Sequence, residues 1–266
     1  MSETPSITWR SSGLTDVGLV RELNEDAFLD RPDLGLWVVA DGMGGHFAGD
    51  VASDMIVASL GELAPAASLS EFVDAVEDRL IEINEQLRDY AAREQTHTIG
   101  STVAALLAHG RFGVCLWAGD SRVYRFRDGT LEQITQDHAL VEELVERGVL
   151  TREQALDHPH GNLVTRAVGA ADSLFVDMEM FELRPGDTFV LCSDGLDKEV
   201  ESHEIARVLA DAAGGDASRP LVDLALERGS RDNVTVIAVH IEDADARGAG
   251  PSPRDQATEQ PDPEAR

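Results

Sequence analysis

Apolar and polar positions between residues 7 and 41 change over in short runs broken by turn residues, the pattern of β-strands. ITWRSSGLTDVGLV is strand-rich, ELNEDAFLDRPD carries a turn, and LGLWVVAD reads as a buried strand. From Ala48 to Leu63 the period lengthens, with Val51, Met55, Val57, Ala58 and Leu60 at helical spacing. Leu69 to Glu94 predicts a longer helix, with Phe72, Val73, Val76, Leu80, Ile83, Leu87 and Tyr90 on one face and Ser68 or Ser70 as its cap. Past Thr98 the pattern returns to strands in IGSTVAALLA, RFGVCLWAGD and SRVYRFRDGTLEQIT, where the pair Asp128, Gly129 marks a hairpin turn. Residues 138 to 170 read as helix and loop, with VEELVERGVL amphipathic and HPHGN a breaker. VDMEMFEL and DTFVLCSD are strands around the turn RPGD; two short helices, SHEIARVLADAA and SRPLVDLALERGS, precede the strand NVTVIAVHIE.

No internal repeat is visible. Beyond about Glu242 the chain has no aromatic or large aliphatic residue, which predicts a disordered acidic, proline-rich tail over 243–266 and a single domain over 1–242. Many antiparallel strands interrupted by helix pairs predict an α+β domain with sheets packed face to face and helices outside. Strict βαβ alternation, the mark of a doubly wound parallel sheet, is missing.

Composition narrows the function. A hydrophobic content of 42% in 266 residues suits a globular protein with a sizeable core. Fifty acids against twenty-two bases give a net charge of −28, which repels phosphate backbones and anionic lipid heads and argues against nucleic-acid or membrane-surface roles. MSETPSITWR has no basic segment followed by an apolar one, so no signal peptide is expected, and no apolar stretch approaches the ~20 residues that span a bilayer. Cys115 and Cys192 sit in apolar strand-like runs and are expected as buried thiols of a cytoplasmic protein.

VVADGMGGHFAGD, residues 38–50, has the outline strand, glycine loop, helix, and so raises the question of a nucleotide cradle. The residues refuse it. A dinucleotide fingerprint needs glycine at 47, where the chain has Phe47; a P-loop counted from Gly44 reaches Gly49 and then meets Asp50 and Val51 instead of lysine and a hydroxyl.

Another feature repeats: an apolar strand ending in aspartate, at Asp41, Asp120 and Asp194, with a reversed case at Asp232 before VTVIAVH and a further acidic group, Glu25 and Asp26, before a short strand. One Asp-Gly after a strand is an ordinary turn. Four or five carboxylates gathered at one sheet edge would repel one another and need cations. The bases near them in sequence are few: Arg21, Arg122, Lys198, Arg228 and Arg231. Oxygen donors without a Cys/His pair point to Mg²⁺ or Mn²⁺ and away from zinc.

The motifs RELNEDA, VVADGMGGHFAG, GSTVAALL, AGDSRVYRFRDG, QDH, NLVTRAVG, SDGL and GSRDNVTV occur in that order from residue 21 to 239. Together they resemble the bacterial branch of the metal-dependent protein serine/threonine phosphatases, the protein phosphatase 2C-like family, over nearly the whole chain except its first dozen residues and the tail. The resemblance implies a central β-sandwich of two antiparallel sheets flanked by helix pairs, with two Mn²⁺ or Mg²⁺ ions at one end. By the same resemblance Asp41 bridges both ions, Gly42 offers its carbonyl, Asp194 and Asp232 bind one ion, and Glu25 holds the other with Asp26 in support. Asp120 and Asp194 match the position of a third, weaker ion, and Arg21 matches a phosphate-binding arginine. The implied chemistry is direct attack of a metal-bridging hydroxide on a phosphoserine or phosphothreonine, with no covalent phosphoenzyme.

The chain departs from the pattern at Met43, where many eukaryotic members have histidine, and at Ala139, where QDH is commonly followed by serine. His46 and His138 are therefore candidate proton donors, each set against an ordinary structural or solvated role, with a metal-bound water as the alternative. Residues 140–162 correspond to the family's variable flap. His158 and His160 resemble a metal clip less than a polar loop. Whole-chain similarity extends to phosphatases that oppose a Ser/Thr kinase controlling type VI secretion, so a cognate kinase and its phosphoprotein targets are the expected partners, and a monomer is expected.

Other chemistries lack their residues. A cysteine phosphatase needs arginine six residues after the nucleophile, but Cys192 is followed there by Lys198 and Cys115 by Ser121; no Gly-x-Ser-x-Gly is present. A phosphatase-like domain acting on sigma-factor regulators shares the chemistry but usually sits in longer chains. The remaining alternative is a catalytically weak, phosphatase-like binding module, which the retained Asp41, Asp194 and Asp232 oppose.

Overall fold

The apolar runs LWVVA, VAALLA and VCLWA lie in strands with cores on both sides, which is why they read as continuous and not alternating. The computed structural model describes residues 7–44, 49–94, 99–156 and 158–244. Eleven strands and seven helices lie among these residues. The strands are β1 (Ile7–Asp16), β2 (Asp26–Arg31), β3 (Leu36–Gly44), β4 (Ile99–Ser101), β5 (Val103–His109), β6 (Phe112–Ala118), β7 (Arg122–Arg127), β8 (Thr130–Gln133), β9 (Asp177–Glu182), β10 (Thr188–Cys192) and β11 (Val234–Asp243). The helices are α1 (Gly49–Gly61), α2 (Leu69–Glu94), α3 (Leu140–Glu146), α4 (Arg152–Leu156), α5 (Asp194–Asp197), α6 (Ser202–Ala212) and α7 (Ser218–Arg228).

Two antiparallel sheets stack face to face. One has the order β1-β11-β10-β7-β8; the other runs β2-β3-β5-β6-β9, with β4 alongside β3. Strand alternation distributes each run between two cores. On β3, Trp37 and Val39 enter the core between the sheets, and Leu36, Val38 and Ala40 meet α1 and α2. On β11, Ile237, Val239 and Ile241 face the other sheet, while Val234, Val236 and Ala238 pack under α6 and α7. The result is the expected α-β-β-α order of layers.

Helix α2 spans the predicted residues, and its apolar face packs into the helix-side core. Of the two candidate caps Ser68 acts: its Oγ accepts the Glu71 N–H at 3.2 Å. Truncating Leu80, fully buried in this face, is expected to cost about 2–5 kcal/mol. A urea titration of Leu80→Ala should therefore show a lower midpoint at unchanged slope.

Asp128 and Gly129 both have positive φ, 51° and 78°, as the expected tight hairpin turn requires. Three boundaries differ from the sequence reading. IGSTVAALLA is two strands, broken at Thr102. VEELVERGVL is helical only to Glu146, because Gly148 adopts φ 69° and closes a turn onto the Val145 carbonyl. The last strand continues through Asp243; the tail from residue 245 lies outside the described residues. No described helix is long and apolar enough to cross a membrane. Cys115 and Cys192 are buried free thiols.

Candidate metal centre

Antiparallel pairing carries the repeated aspartates to one edge. The ends of β3, β6 and β10 deliver Asp41, Asp120 and Asp194, while the beginnings of β2 and β11 deliver Glu25, Asp26 and Asp232. Asp26 stands directly across from Asp41 in the β2–β3 register. Glu25, Asp41, Gly42, Asp120, Asp194, Asp232 and Arg21 line a common cleft of about 360 Å³, together with Met43, Thr102, Lys198 and Asn233.

The glycines after Asp41 and Asp194 have a steric cause. A Cβ on Gly42 would lie 2.0 Å from the Gly49 carbonyl oxygen and 2.6 Å from that of Glu25; one on Gly195 would lie 2.0 Å from the Asn233 carbonyl oxygen. A second main-chain segment lies at contact distance behind each of these two glycines, so no side chain fits there. Gly49 obeys the same rule, since a Cβ would meet the Glu25 carboxylate at 2.4 Å.

Burial and mutual repulsion dominate the electrostatics. Burial pushes the Asp41 carboxyl well above the usual range, and Asp26, Asp194, Asp120 and Asp232 push it further. Asp120 is raised to about 7, by burial first and then by Asp194. Asp26 also rises to about 7 through burial, partly offset by hydrogen bonds from Ser193 Oγ and Thr235 Oγ1, both 2.7 Å from its Oδ2. Asp26 lies beneath the cleft floor, 8% exposed, and is not among the lining residues. Glu25 is raised too, again mainly by burial.

Among the described residues, two cations answer five lining acids. Arg21 forks onto Asp232, with Nη2 2.8 Å from Oδ2 and Nε 2.8 Å from Oδ1. Lys198 Nζ pairs with Asp194 Oδ2, one turn earlier on α5. Asp194 Oδ1 is buried and accepts no hydrogen bond among the described residues. Among those residues no three His, Cys, Asp or Glu side chains close on one point as a ready cage. The fit to a metal is instead one of charge and donor type: a surplus of buried carboxylate charge, an orphaned oxygen, and oxygen donors alone suit hard divalent cations.

The structure adds residues that the sequence reading left without a role. Thr102 Oγ1 accepts the Asp41 N–H at 3.1 Å and contacts Ser121 Oγ at 2.6 Å, while its own N–H donates to the Asp41 carbonyl. This clamp is why the strand breaks there. Asn233 accepts the Glu25 N–H at 2.9 Å and donates to the carbonyls of Val17 and Leu23, tying the Arg21 loop to β11. Its place beside Asp232 was the only sequence signal. The Ser193 and Thr235 hydroxyls are separated by 42 residues, so no local motif could reveal that they share Asp26.

The structure does not bring His138 into the cleft. It is buried and stacked on Trp117; Nδ1 accepts the Gly119 N–H at 3.2 Å and Nε2 faces Asp177 Oδ2 at 3.1 Å. Burial holds its pKa below the ordinary value, against the opposing Asp177 hydrogen bond. His46 lies outside the described residues. His158 and His160 form no clip: His158 Nδ1 accepts the His160 backbone N–H at 3.2 Å.

A family model described as protein phosphatase 2C matches residues 20–225. The serine/threonine phosphatase stp of Listeria welshimeri is 36% identical over 235 residues, covering 85% of this chain and 93% of its own. Among solved structures, PppA, described as a key regulatory component of T6SS in Pseudomonas aeruginosa, shares 44% identity at a TM-score of 0.82, over 89% of this chain and 99% of its own. The catalytic domain of the serine/threonine phosphatase PstP, solved with two manganese ions, shares 35% identity at a TM-score of 0.79, over 89% of this chain and all of its own. With eight ordered motifs, a two-sheet sandwich and an edge of buried carboxylates, the chain belongs to the protein phosphatase 2C family as one of its bacterial serine/threonine phosphatases.

Proposed function

We propose that this phosphatase hydrolyses phosphoserine and phosphothreonine in proteins at the Asp41 edge, using two Mn²⁺ or Mg²⁺ ions held there. The observation that carries the reading is the convergence of Glu25, Asp41, Asp120, Asp194 and Asp232 in one cleft with, among the described residues, only Arg21 and Lys198 to offset them. Asp41 and the Gly42 carbonyl would hold the two ions, together with Asp194 and Asp232 on one side and Glu25, with Asp26 beneath, on the other. Asp120 with Asp194 would hold a third ion more weakly. Bound there, the ions would supply an activated water for in-line attack on phosphorus.

The chain's own groups do the rest. Arg21 stands half exposed at the cleft mouth, its planar fork matching two phosphate oxygens as it now matches two carboxylate oxygens. Thr102 and Asn233 fix the backbones of Asp41 and Glu25 and so keep the donors in place between turnovers. His138, engaged by Gly119 and Asp177, holds the turn before Asp120 and takes no part in proton transfer.

The likeness to PppA supports a physiological setting in which the enzyme reverses a Ser/Thr kinase of a type VI secretion system, with that kinase and its targets as partners. Purified protein is expected to release phosphate from a phosphothreonine peptide only with Mn²⁺ or Mg²⁺ present, to stop on chelation, and to recover on readdition. Turnover that survives exhaustive chelation, or a folded protein with no turnover in any divalent ion, would refute the reading; the second result would favour a binding module.

A further inference from the structure

A second cavity, of about 790 Å³, opens beside the metal cleft between residues of 139–155 and 161–162 and shares Asp120, Asn162, Asp194 and Lys198 with it. Its character is different. Ala139, Val141 and Ala155 give it an apolar wall, and among the described residues six acidic side chains line it against three basic ones.

The bases are all held. Arg122 is gripped by Asp137, through Nε at 3.0 Å and Nη2 at 2.6 Å, and by Asp197, through Nη1 at 2.9 Å. Arg152 rests on Glu142 at 3.3 Å, and Lys198 on Asp194. With the metal-centre acids Asp120 and Asp194 set aside, and Lys198 with them, four acids still face two bases. Asp197 is nine-tenths buried, and its Oδ1 accepts no hydrogen bond among the described residues. Glu153 is exposed at the rim.

An apolar wall leading to a surplus of carboxylates over bases fits a long aliphatic stem with a cationic head. Because the cavity joins the phosphate cleft, the cation that reaches it belongs to the same polypeptide as the phosphorylated residue. We propose that this cavity is a specificity subsite for an arginine or lysine side chain close in sequence to the phosphoserine or phosphothreonine. The inference rests on the phosphatase reading above and adds to it a substrate class, phosphoproteins whose phosphosites carry a basic neighbour. The Glu142 and Glu153 carboxylates provide the accessible attraction, with Asp197 behind them.

The test uses the Mn²⁺-loaded enzyme and phosphothreonine peptides that differ only by arginine or glutamine at each of three positions on either side of the phosphorylated residue. One position is expected at which arginine raises kcat/KM about tenfold, chiefly through KM, the scale of a charge-assisted hydrogen bond. That advantage should shrink as salt screens it. The double variant Glu142→Gln, Glu153→Gln is expected to lose the preference, and Glu153→Lys to reverse it toward a glutamate peptide. Both should keep p-nitrophenyl phosphate hydrolysis within about twofold, since that substrate has no side chain to place in the cavity. Equal kcat/KM at every position in the wild type, or a preference unchanged in the double variant, overturns the subsite alone. Failure of the wild type to hydrolyse p-nitrophenyl phosphate overturns the subsite and the phosphatase reading together.

Discussion

Asp41→Asn is expected to lose at least about 10³-fold in kcat with Mn²⁺ present, because removing even an outer partner of a metal ligand already costs about 10–100-fold. The amide keeps the shape and the backbone clamp to Thr102 but withdraws the negative charge that would be shared by two ions. A second result separates this loss from misfolding. Asp41 is pressed by Asp26, Asp120, Asp194 and Asp232, so neutralising it relieves repulsion within the fold. In chelator the variant should therefore melt no lower than the wild type, while calorimetry shows weakened Mn²⁺ binding. Full activity in the variant, or a large drop in its metal-free melting temperature, would contradict the assignment.

Gly42→Ala is the second large effect, and here the fold itself should give way. A methyl group at this position falls 2.0 Å from the Gly49 carbonyl oxygen and 2.6 Å from the Glu25 carbonyl oxygen, both main-chain atoms with no rotamer to change. Relief demands that β3 separate from the start of α1 or from the Glu25 strand end, which breaks the Gly42 N–H bond to the Glu25 carbonyl at 3.0 Å. Overpacking of this kind typically costs about 1–3 kcal/mol, with more expected against rigid backbone. The displaced Glu25 and Asp41 should also lower Mn²⁺ affinity, so stability and metal binding fall together. Gly110→Ala makes the control, since a Cβ there meets nothing within 4 Å although φ is 59°. A Gly42→Ala protein as stable as that control would show that the crossing is looser than described.

The five acids were legible in the sequence because each borders an apolar run, Asp41, Asp120 and Asp194 at its end and Glu25 and Asp232 before its start, and a run too apolar to leave the core must stop where the chain reaches solvent. Asp-Gly was legible as a repeated signal but not as a cause. The family resemblance gave Gly42 a carbonyl to offer an ion; the steric reason for the glycine is a second main chain, Gly49 behind Gly42 and Asn233 behind Gly195. His138 shows the opposite limit. Its motif marked it as a candidate donor, yet the turn at Gly119 and the edge strand β9 take up both ring nitrogens.

Taken alone, the chain determined what depends on neighbours within a few residues: the extent of α2, the hairpin at Asp128 and Gly129, the apolar strands and the acids at their ends. Side-chain period and turn chemistry are local properties, and they survive without knowledge of the partner strand. Tertiary structure alone decided which groups meet. Strand register set Asp26 against Asp41, and chain crossing placed Thr102 under Asp41 and Ser193 and Thr235 on Asp26. Those pairings join residues up to 209 positions apart, a distance over which pattern carries no information and only the stacking of two sheets fixes the contact.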